Sequence, residues 1–344
     1  MNSRRERDRR YWGIVAPLPA PAISMFAQKA EAQGLEGVFA PQVIGPPWST
    51  LAVAASHTER LKVASGIAIA AARSPFETAM AAIDMDRISQ GRFVLGLGAS
   101  VQAWTCGLFG APPHRPLAHL RETVAAVRHI VRGAHKEEGL EPFDGLYYKG
   151  DYSTLQPQQP PVREEIPIWL AALRGPAVRL AAEIGDGVMG HPIWSVDWAI
   201  DKVQPELAKG LERGGRTRED VELNLWFWCT PNTDEAESIE DARTTVAFYA
   251  SFEQYESFFA AHGFRDEARR AQEVGRQRDI LTRPDLVSDE MVRAFVLCGK
   301  PESVRERIER AWGIADSLVV IPPAYGIDPV KMMYYQAEIA KLLY

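Results

Sequence analysis

Short, continuously apolar runs alternate with stretches of helical periodicity along this chain in about eight units, and that recurrence constrains the fold more than any other feature. The runs are residues 12–16, 38–40, 61–69, 93–97, 168–171, the neighbourhood of Val188, 221–228 and 317–321. Strands buried on both faces read as unbroken apolar runs, and both faces are buried when helices cover a parallel sheet. Helical patterns fall at 24–33, with Ser24 as a plausible cap and Gly34 as the stop, at 49–58, and from Pro75 to Ile88, ended by Gly91. Others fall at 176–183, 197–211, 302–312 and 330–343. The expected class is therefore α/β with a parallel sheet. A closed barrel and an open doubly wound sheet share this pattern, and periodicity leaves both open.

Two stretches interrupt the rhythm. Residues 138–161 contain DGLYYKGDYSTLQPQQPP, which reads as a hairpin and a Pro-rich return; residues 234–284 read as a polar, aromatic and Arg-rich helical insertion. Each is a candidate lid over a site or a packing extension. Apolar residues make up 46% of the 344, enough to bury a sizeable core, so the expectation is one domain over 1–344 with these two insertions. A net charge of −6 argues against a nucleic-acid partner. Arg4, Arg5, Arg7, Arg9 and Arg10 cluster in residues 1–10, which read as a solvated, disordered basic arm. Three widely spaced cysteines form neither a metal motif nor a disulfide framework, which fits a reducing, cytoplasmic setting. No apolar run reaches the length of about 18 residues that spans a membrane.

Four blocks carry the chemistry. The segment Ser89, Gly91, Arg92, Phe93, Leu95, Gly96, Gly98 spells SxGRFxLGLG, where a helix stops, a strand follows and Gly98 opens the strand's end to close backbone approach. It is not a dinucleotide fingerprint, because Val101 holds the third glycine position. Upstream lies SGIAIAAARSP, with Gly66, Ile67 and Arg73; downstream lies IPIWLAALRGPAVRLAAEIGDGV. In the latter, Arg174-Gly175-Pro176 begins a helix whose free N–H groups suit a phosphate. The fourth block, FVLCGKPESVRERI, starts at Phe295.

In this order the four blocks resemble the bacterial luciferase-like superfamily, and within it the branch of coenzyme F420-dependent oxidoreductases, over about residues 11–323. The resemblance implies a (β/α)8 TIM barrel with insertions, which resolves what periodicity left open. It implies a cofactor, the deazaflavin coenzyme F420 or alternatively FMN, lying across the C-terminal mouth of the barrel, and a homodimer. It implies a non-prolyl cis peptide at Gly66–Ile67 and a cofactor lined by Gly98, Ala99 and Ser100 and by the loop Ala172, Leu173, Arg174, Gly175. The chain departs from the family's Asp-His pair, where it has Gln42-Val43, and Val101 replaces a glutamate of the sugar-phosphate relatives. Any catalytic acid must then come from elsewhere. His191, just past the sixth strand, is the leading candidate, since an imidazole can pass a proton as hydride moves. Trp48 and Trp104, also just past strand ends, could wall a small-molecule substrate. The aromatic residues Phe248, Tyr249, Phe252, Tyr255, Phe258 and Phe259 suggest an apolar or planar one, or a packing stripe. Rival readings are an FMN-dependent two-component monooxygenase and a non-catalytic relative without cofactor; a metal-dependent hydrolase is disfavoured, because only His191 qualifies clearly as a ligand.

Overall fold

The structure is a computed structural model that describes residues 9–42, 45–274 and 277–343. Arg4, Arg5 and Arg7 of the basic arm lie outside them. Eight strands form the barrel: β1 (Arg10–Ile14), β2 (Gly37–Ala40), β3 (Lys62–Ser65), β4 (Phe93–Gly98), β5 (Ile168–Ala171), β6 (Gly187–Met189), β7 (Glu222–Pro231) and β8 (Ser317–Ile321). They follow one another around a closed sheet, so the fold is a (β/α)8 barrel. By internal packing the chain divides into two units, residues 1–189 with 205–224, and residues 190–204 with 225–344.

In the first unit the strands pair in parallel and in sequence, and their register is set by aromatic rings laid over glycines. Trp12 of β1 is in register with Gly37 of β2, and Trp169 of β5 with Gly187 of β6. A Cβ would sit 2.4 Å from the Trp12 ring at Gly37 and 2.6 Å from the Trp169 ring at Gly187. The two indoles lie 5.3 Å apart, with Phe39 4.6 Å from Trp12, and so fill the interior of this unit. The 61–69 run breaks into β3 and a two-residue strand, Ala68–Ile69, at a cis Gly66–Ile67 peptide.

Helix α1 (Ala20–Ala32) begins before Ser24, which lies inside it rather than capping it. Proline in the first turn presets the backbone there, so Pro19 takes the cap position and the entry is fixed upstream. Helices α2 (Trp48–Ser56) and α3 (Pro75–Ile88) stand where the periodicity places them, and α3 has Ser74 as a true cap, accepting from the Glu77 N–H. Helix α4 (Pro116–Gly133) was not among the helical patterns read from sequence, although Leu120, Val124, Val127 and Val131 recur at its spacing and are all buried. Residues Phe143–Asp144 and Lys149–Gly150 form an antiparallel hairpin, whose turn is held by the Glu122 carboxylate accepting from the N–H groups of Leu146, Tyr147 and Tyr148. Helix α5 (Gly175–Ile184) follows β5.

In the second unit, a further strand that the apolar pattern does not mark, Val296–Gly299, pairs in parallel with the far half of β7. Within residues 234–284 lie α6 (Glu235–Ala250), capped by Asp234, and the shorter helices Glu256–Ala261 and Arg265–Glu273. Among the described residues no helix is long and apolar enough to cross a membrane, and no cluster of three or more His, Cys, Asp or Glu could hold a metal.

Candidate active site

In a parallel barrel the loops after the strands carry the chemistry. At the ends of β2 and β3 a hydrogen-bonded knot sets the geometry. The Gly66 N–H donates to Ala40 O (2.9 Å) and the Gln42 N–H to Ile67 O (3.1 Å), so the chain after β2 is stitched to both sides of the cis peptide. The Gln42 side chain turns the other way. Its Oε1 accepts from the Ile69 N–H (2.9 Å) and from Arg73 Nη1 (3.1 Å). Two donors on that atom fix which end of the amide is oxygen, since the flipped amide would set N–H against N–H. Nε2 is then the outward donor, and it is buried without a partner among the described residues.

Arg73 has a second neighbour in Trp48, whose ring lies 5.7 Å from the guanidinium carbon, and an ion pair to Glu77 at 3.6 Å. Burial lowers the Arg73 pKa from its ordinary value, and a guanidinium stays charged regardless. Trp48 Nε1 is a second buried donor without a described partner. Gln42, Trp48 and Arg73 thus gather donors beyond the ends of β2 and β3, where the one acceptor, Gln42 Oε1, is already taken.

Below them, Ser65 Oγ donates to Gly96 O and accepts from the Gly96 N–H, both at 2.9 Å. A Cβ on Gly96 would lie 1.8 Å from Ser65 O, so β3 and β4 meet here at a separation only glycine allows. The Ile67 side chain covers Gly98, where a Cβ would come 2.1 Å from Ile67 Cδ1. Ala99 and Ser100 follow, half-buried, with Ser100 in the left-handed region at φ 57°. The Ala172 N–H is committed to Met189 O at 2.9 Å. Leu173 and Arg174 lead into α5, whose cap is Arg174 and whose first residue is Gly175. That N-terminus offers fewer donors than a generic one, because Pro176 has no N–H and the Ala177 and Val178 N–H groups reach Arg174 O. The Glu206 carboxylate also stands beside it, 3.1 Å from where a Gly175 Cβ would be. Trp104 sits half-buried in the short helix Gln102–Thr105 and makes no ring contact with another described residue. Val43 lies outside the described residues.

His191, two residues past β6, belongs to the second unit and has its own surroundings. Its Nδ1 accepts from the Ile193 N–H (3.3 Å), which leaves the ring proton on Nε2, 3.3 Å from the Tyr255 hydroxyl. The rings of Tyr249 and Tyr255 lie 5.3 and 5.5 Å from the imidazole. Burial alone pulls the His191 pKa down to about 3, so the ring is neutral at physiological pH. Burial, with Tyr325 and Tyr255 adding to it, raises the Tyr249 hydroxyl well above its ordinary value. The aromatic stripe therefore splits. Phe248, Tyr249, Phe252 and Tyr255 gather with His191 and Tyr325, whereas Phe258 and Phe259 are buried against Trp198, His262 and Phe295 as core.

The family model described as luciferase-like monooxygenase matches residues 13–315. This chain belongs to that family. Among its luciferase-like relatives is a Mycobacterium tuberculosis protein provisionally named a coenzyme F420-dependent oxidoreductase, 28% identical over 338 residues that cover 93% of this chain and 95% of the relative. The fold is also that of the coenzyme F420-dependent tetrahydromethanopterin reductase of Methanopyrus kandleri, with a TM-score of 0.78, 22% identity, and 91% of this chain and 93% of that one covered. It is shared as well by the oxygenating constituent of 3,6-diketocamphane monooxygenase of Pseudomonas putida, solved with FMN, at a TM-score of 0.68, 15% identity and 97% coverage of both chains. Proteins of this fold thus include one named for coenzyme F420 and one solved with FMN.

Arg73, Ser65 and Tyr325 are the residues of these clusters that sequence reasoning did not put forward as site residues. Arg73 lies in the SGIAIAAARSP segment, but only the fold shows that it reaches Gln42. Tyr325 lies four residues past β8, so the strand-end rule that found His191 could have found it.

Proposed function

We propose that this luciferase-like protein is a coenzyme F420-dependent oxidoreductase acting on a small organic substrate. The observation that carries the cofactor reading is the donor set of Gln42 Nε2, Trp48 Nε1 and Arg73, two of whose members are buried donors lacking an acceptor among the described residues. Buried polar groups are expected to be paired, and the carbonyl-rich edge of a flavin or deazaflavin ring would supply acceptors that the described residues do not. Deazaflavin is favoured over FMN by the near full-length likeness to the mycobacterial relative named for it. When bound, the deazaflavin supplies two-electron hydride chemistry without activating oxygen.

The chain's own part is to bind, orient and manage a proton. Gln42 donates through Nε2, and Arg73 positions Gln42 by holding its oxygen. Gly66 and Ile67 would support the cofactor's ring, with Ile67 buttressed over Gly98. Gly98, Ala99 and Ser100 would line its side chain, and Ala172, Leu173, Arg174 and Gly175 would hold its anionic tail. With Glu206 already beside Gly175, the Arg174 guanidinium supplies more of the attraction there than the helix N-terminus does. Trp104 walls the substrate. In the second unit, His191, neutral with its proton on Nε2, is the chain's proposed proton carrier.

Titration of the cofactor-free protein with coenzyme F420 and with FMN in parallel, followed by quenching of tryptophan fluorescence, tests the assignment. Micromolar or tighter F420 binding with much weaker FMN binding is expected. Tight binding of FMN alone would move the reading to a two-component monooxygenase, and binding of neither would leave a non-catalytic barrel.

A further inference from the structure

His191, Tyr249, Tyr255 and Tyr325 share an unusual pair of properties. Desolvation is the largest influence on the titration of His191, Tyr249 and Tyr325, which means that protein crowds them. Yet all four, with Phe248 and Phe252, keep part of their surface in contact with solvent. Side chains crowded by their neighbours and still touched by water form an aromatic surface that can receive a guest, here called the recess. Phe258, Phe259 and Phe295, a few residues away in sequence or packing, show the alternative: they are at most 2% exposed and close on one another.

The walls of this recess are aromatic and meet at steep angles. Tyr249 stands at 87° to His191, 85° to Phe248 and 72° to Tyr255, while Phe248 and Tyr325 stack at 3.9 Å. Faces and edges are thus both presented, the arrangement in which a flat ring gains most from aromatic neighbours. The influences that shift His191 and Tyr249 are burial and, for Tyr249, other tyrosines, with no ionised side chain among them. A charged guest would be stripped of water there without a charged partner among the described residues that shift these groups. Trp228 adds a polar requirement. It is 5% exposed, its Nε1 is buried without a described partner, and its ring centroid lies 6.4 Å from Tyr249.

We propose that this recess selects the substrate, and that it takes a planar, uncharged molecule bearing a hydrogen-bond acceptor such as a ketone oxygen. The acceptor satisfies the Trp228 N–H, the flat ring packs on Tyr249 and Phe248, and the His191–Tyr255 pair stands at the polar end. This names the substrate class for the oxidoreductase reading above and rests on it, but binding can be measured without cofactor.

Isothermal titration of the full chain with 2-acetylnaphthalene, 2-naphthoate and cyclohexyl methyl ketone separates the three requirements. The naphthyl ketone should bind at least about tenfold more tightly than either the naphthoate, which adds charge, or the saturated ketone, which removes planarity. Tyr249→Ala should weaken the naphthyl ketone about tenfold. Trp228→Phe, which deletes only the N–H and a little area, should weaken it about three- to tenfold without perturbing folding. Naphthoate binding as tightly as the ketone, Trp228→Phe with unchanged affinity, or no binding of either naphthyl compound at about 1 mM would each overturn the proposal. F420 titration of the same preparations keeps the two readings apart. Ketone binding without F420 binding defeats the cofactor assignment alone, and F420 binding without ketone binding defeats the substrate class alone.

Discussion

Gln42 shows how much of a site can rest on which end of one amide faces which way. Its oxygen is spoken for by Ile69 and Arg73, so its nitrogen is the end left to meet a ligand. Gln42→Ala should weaken F420 binding about tenfold, the effect of one hydrogen bond of roughly 1.4 kcal/mol. The fluorescence titration reads this directly, and an unchanged Kd would remove Gln42 from the cofactor's contacts. Ser65 sits one layer deeper. Ser65→Ala strands the Gly96 N–H and C=O in a dry interior and should cost about 1–3 kcal/mol in urea unfolding. His191 leaves a mark on pH dependence. Its folded pKa is near 3, whereas the unfolded chain takes the proton below about 6.5. The unfolded state therefore binds more protons between those values, and stability falls as pH drops through that window, by at most about 1.4 kcal/mol per pH unit. Urea midpoints at pH 7.5, 6 and 5 should show His191→Gln losing less stability on acidification than the parent; parallel losses would mean that the imidazole is not buried neutral.

At the scale of elements, the first half of the glycine block braces the scaffold. In SxGRF, Ser89 Oγ returns to Asp86 O, and Arg92 spreads its guanidinium over Thr58 and the carbonyls of Ala55, Thr58 and Leu61, bracing the turn between α2 and β3. Asp86, fully buried in α3, accepts from the Val162 and Arg163 N–H groups and from the Arg163 guanidinium, which also donates to Phe93 O. Asp86→Ala leaves a half-buried arginine and two backbone donors unpaired and should cost about 2–4 kcal/mol, toward the low end of buried-pair disruptions because Arg163 keeps some solvent. A loss below about 1 kcal/mol in chemical denaturation would show that water replaces the carboxylate freely. The same contrast explains what was legible in the sequence. Strands announced themselves because burial on both faces leaves unbroken apolar runs. The α1 cap was misplaced because Pro19 and Pro21 set the entry before Ser24 could. The links that make the site, Gln42 to Ile69 and Ser65 to Gly96, join residues 27 and 31 apart, and no local pattern encodes them. The aromatic stripe split for a related reason: a tight turn at Glu253–Tyr255 sends the rings before and after it to different neighbours.

For the molecule as a whole, charge poses a problem that the proposed function must solve. A net charge of −6 repels an anionic cofactor at long range. Affinity must then come from local cations, Arg73 at the ring and Arg174 at the tail. Added salt acts on the two terms in opposite senses. It screens the diffuse repulsion, which would tighten binding, and it screens contacts to exposed arginines, which would loosen it. Close contacts outweigh a distributed field once separations exceed a Debye length of about 8 Å at physiological salt. The Kd for F420 is therefore expected to rise about three- to tenfold between about 50 and 500 mM NaCl. Arg174→Ala should flatten that dependence while leaving the part carried by the less exposed Arg73, which salt reaches least. Fluorescence titrations across the salt series decide it. A Kd that falls with salt would mean that the global repulsion dominates, and it would take Arg174 out of the tail's binding site.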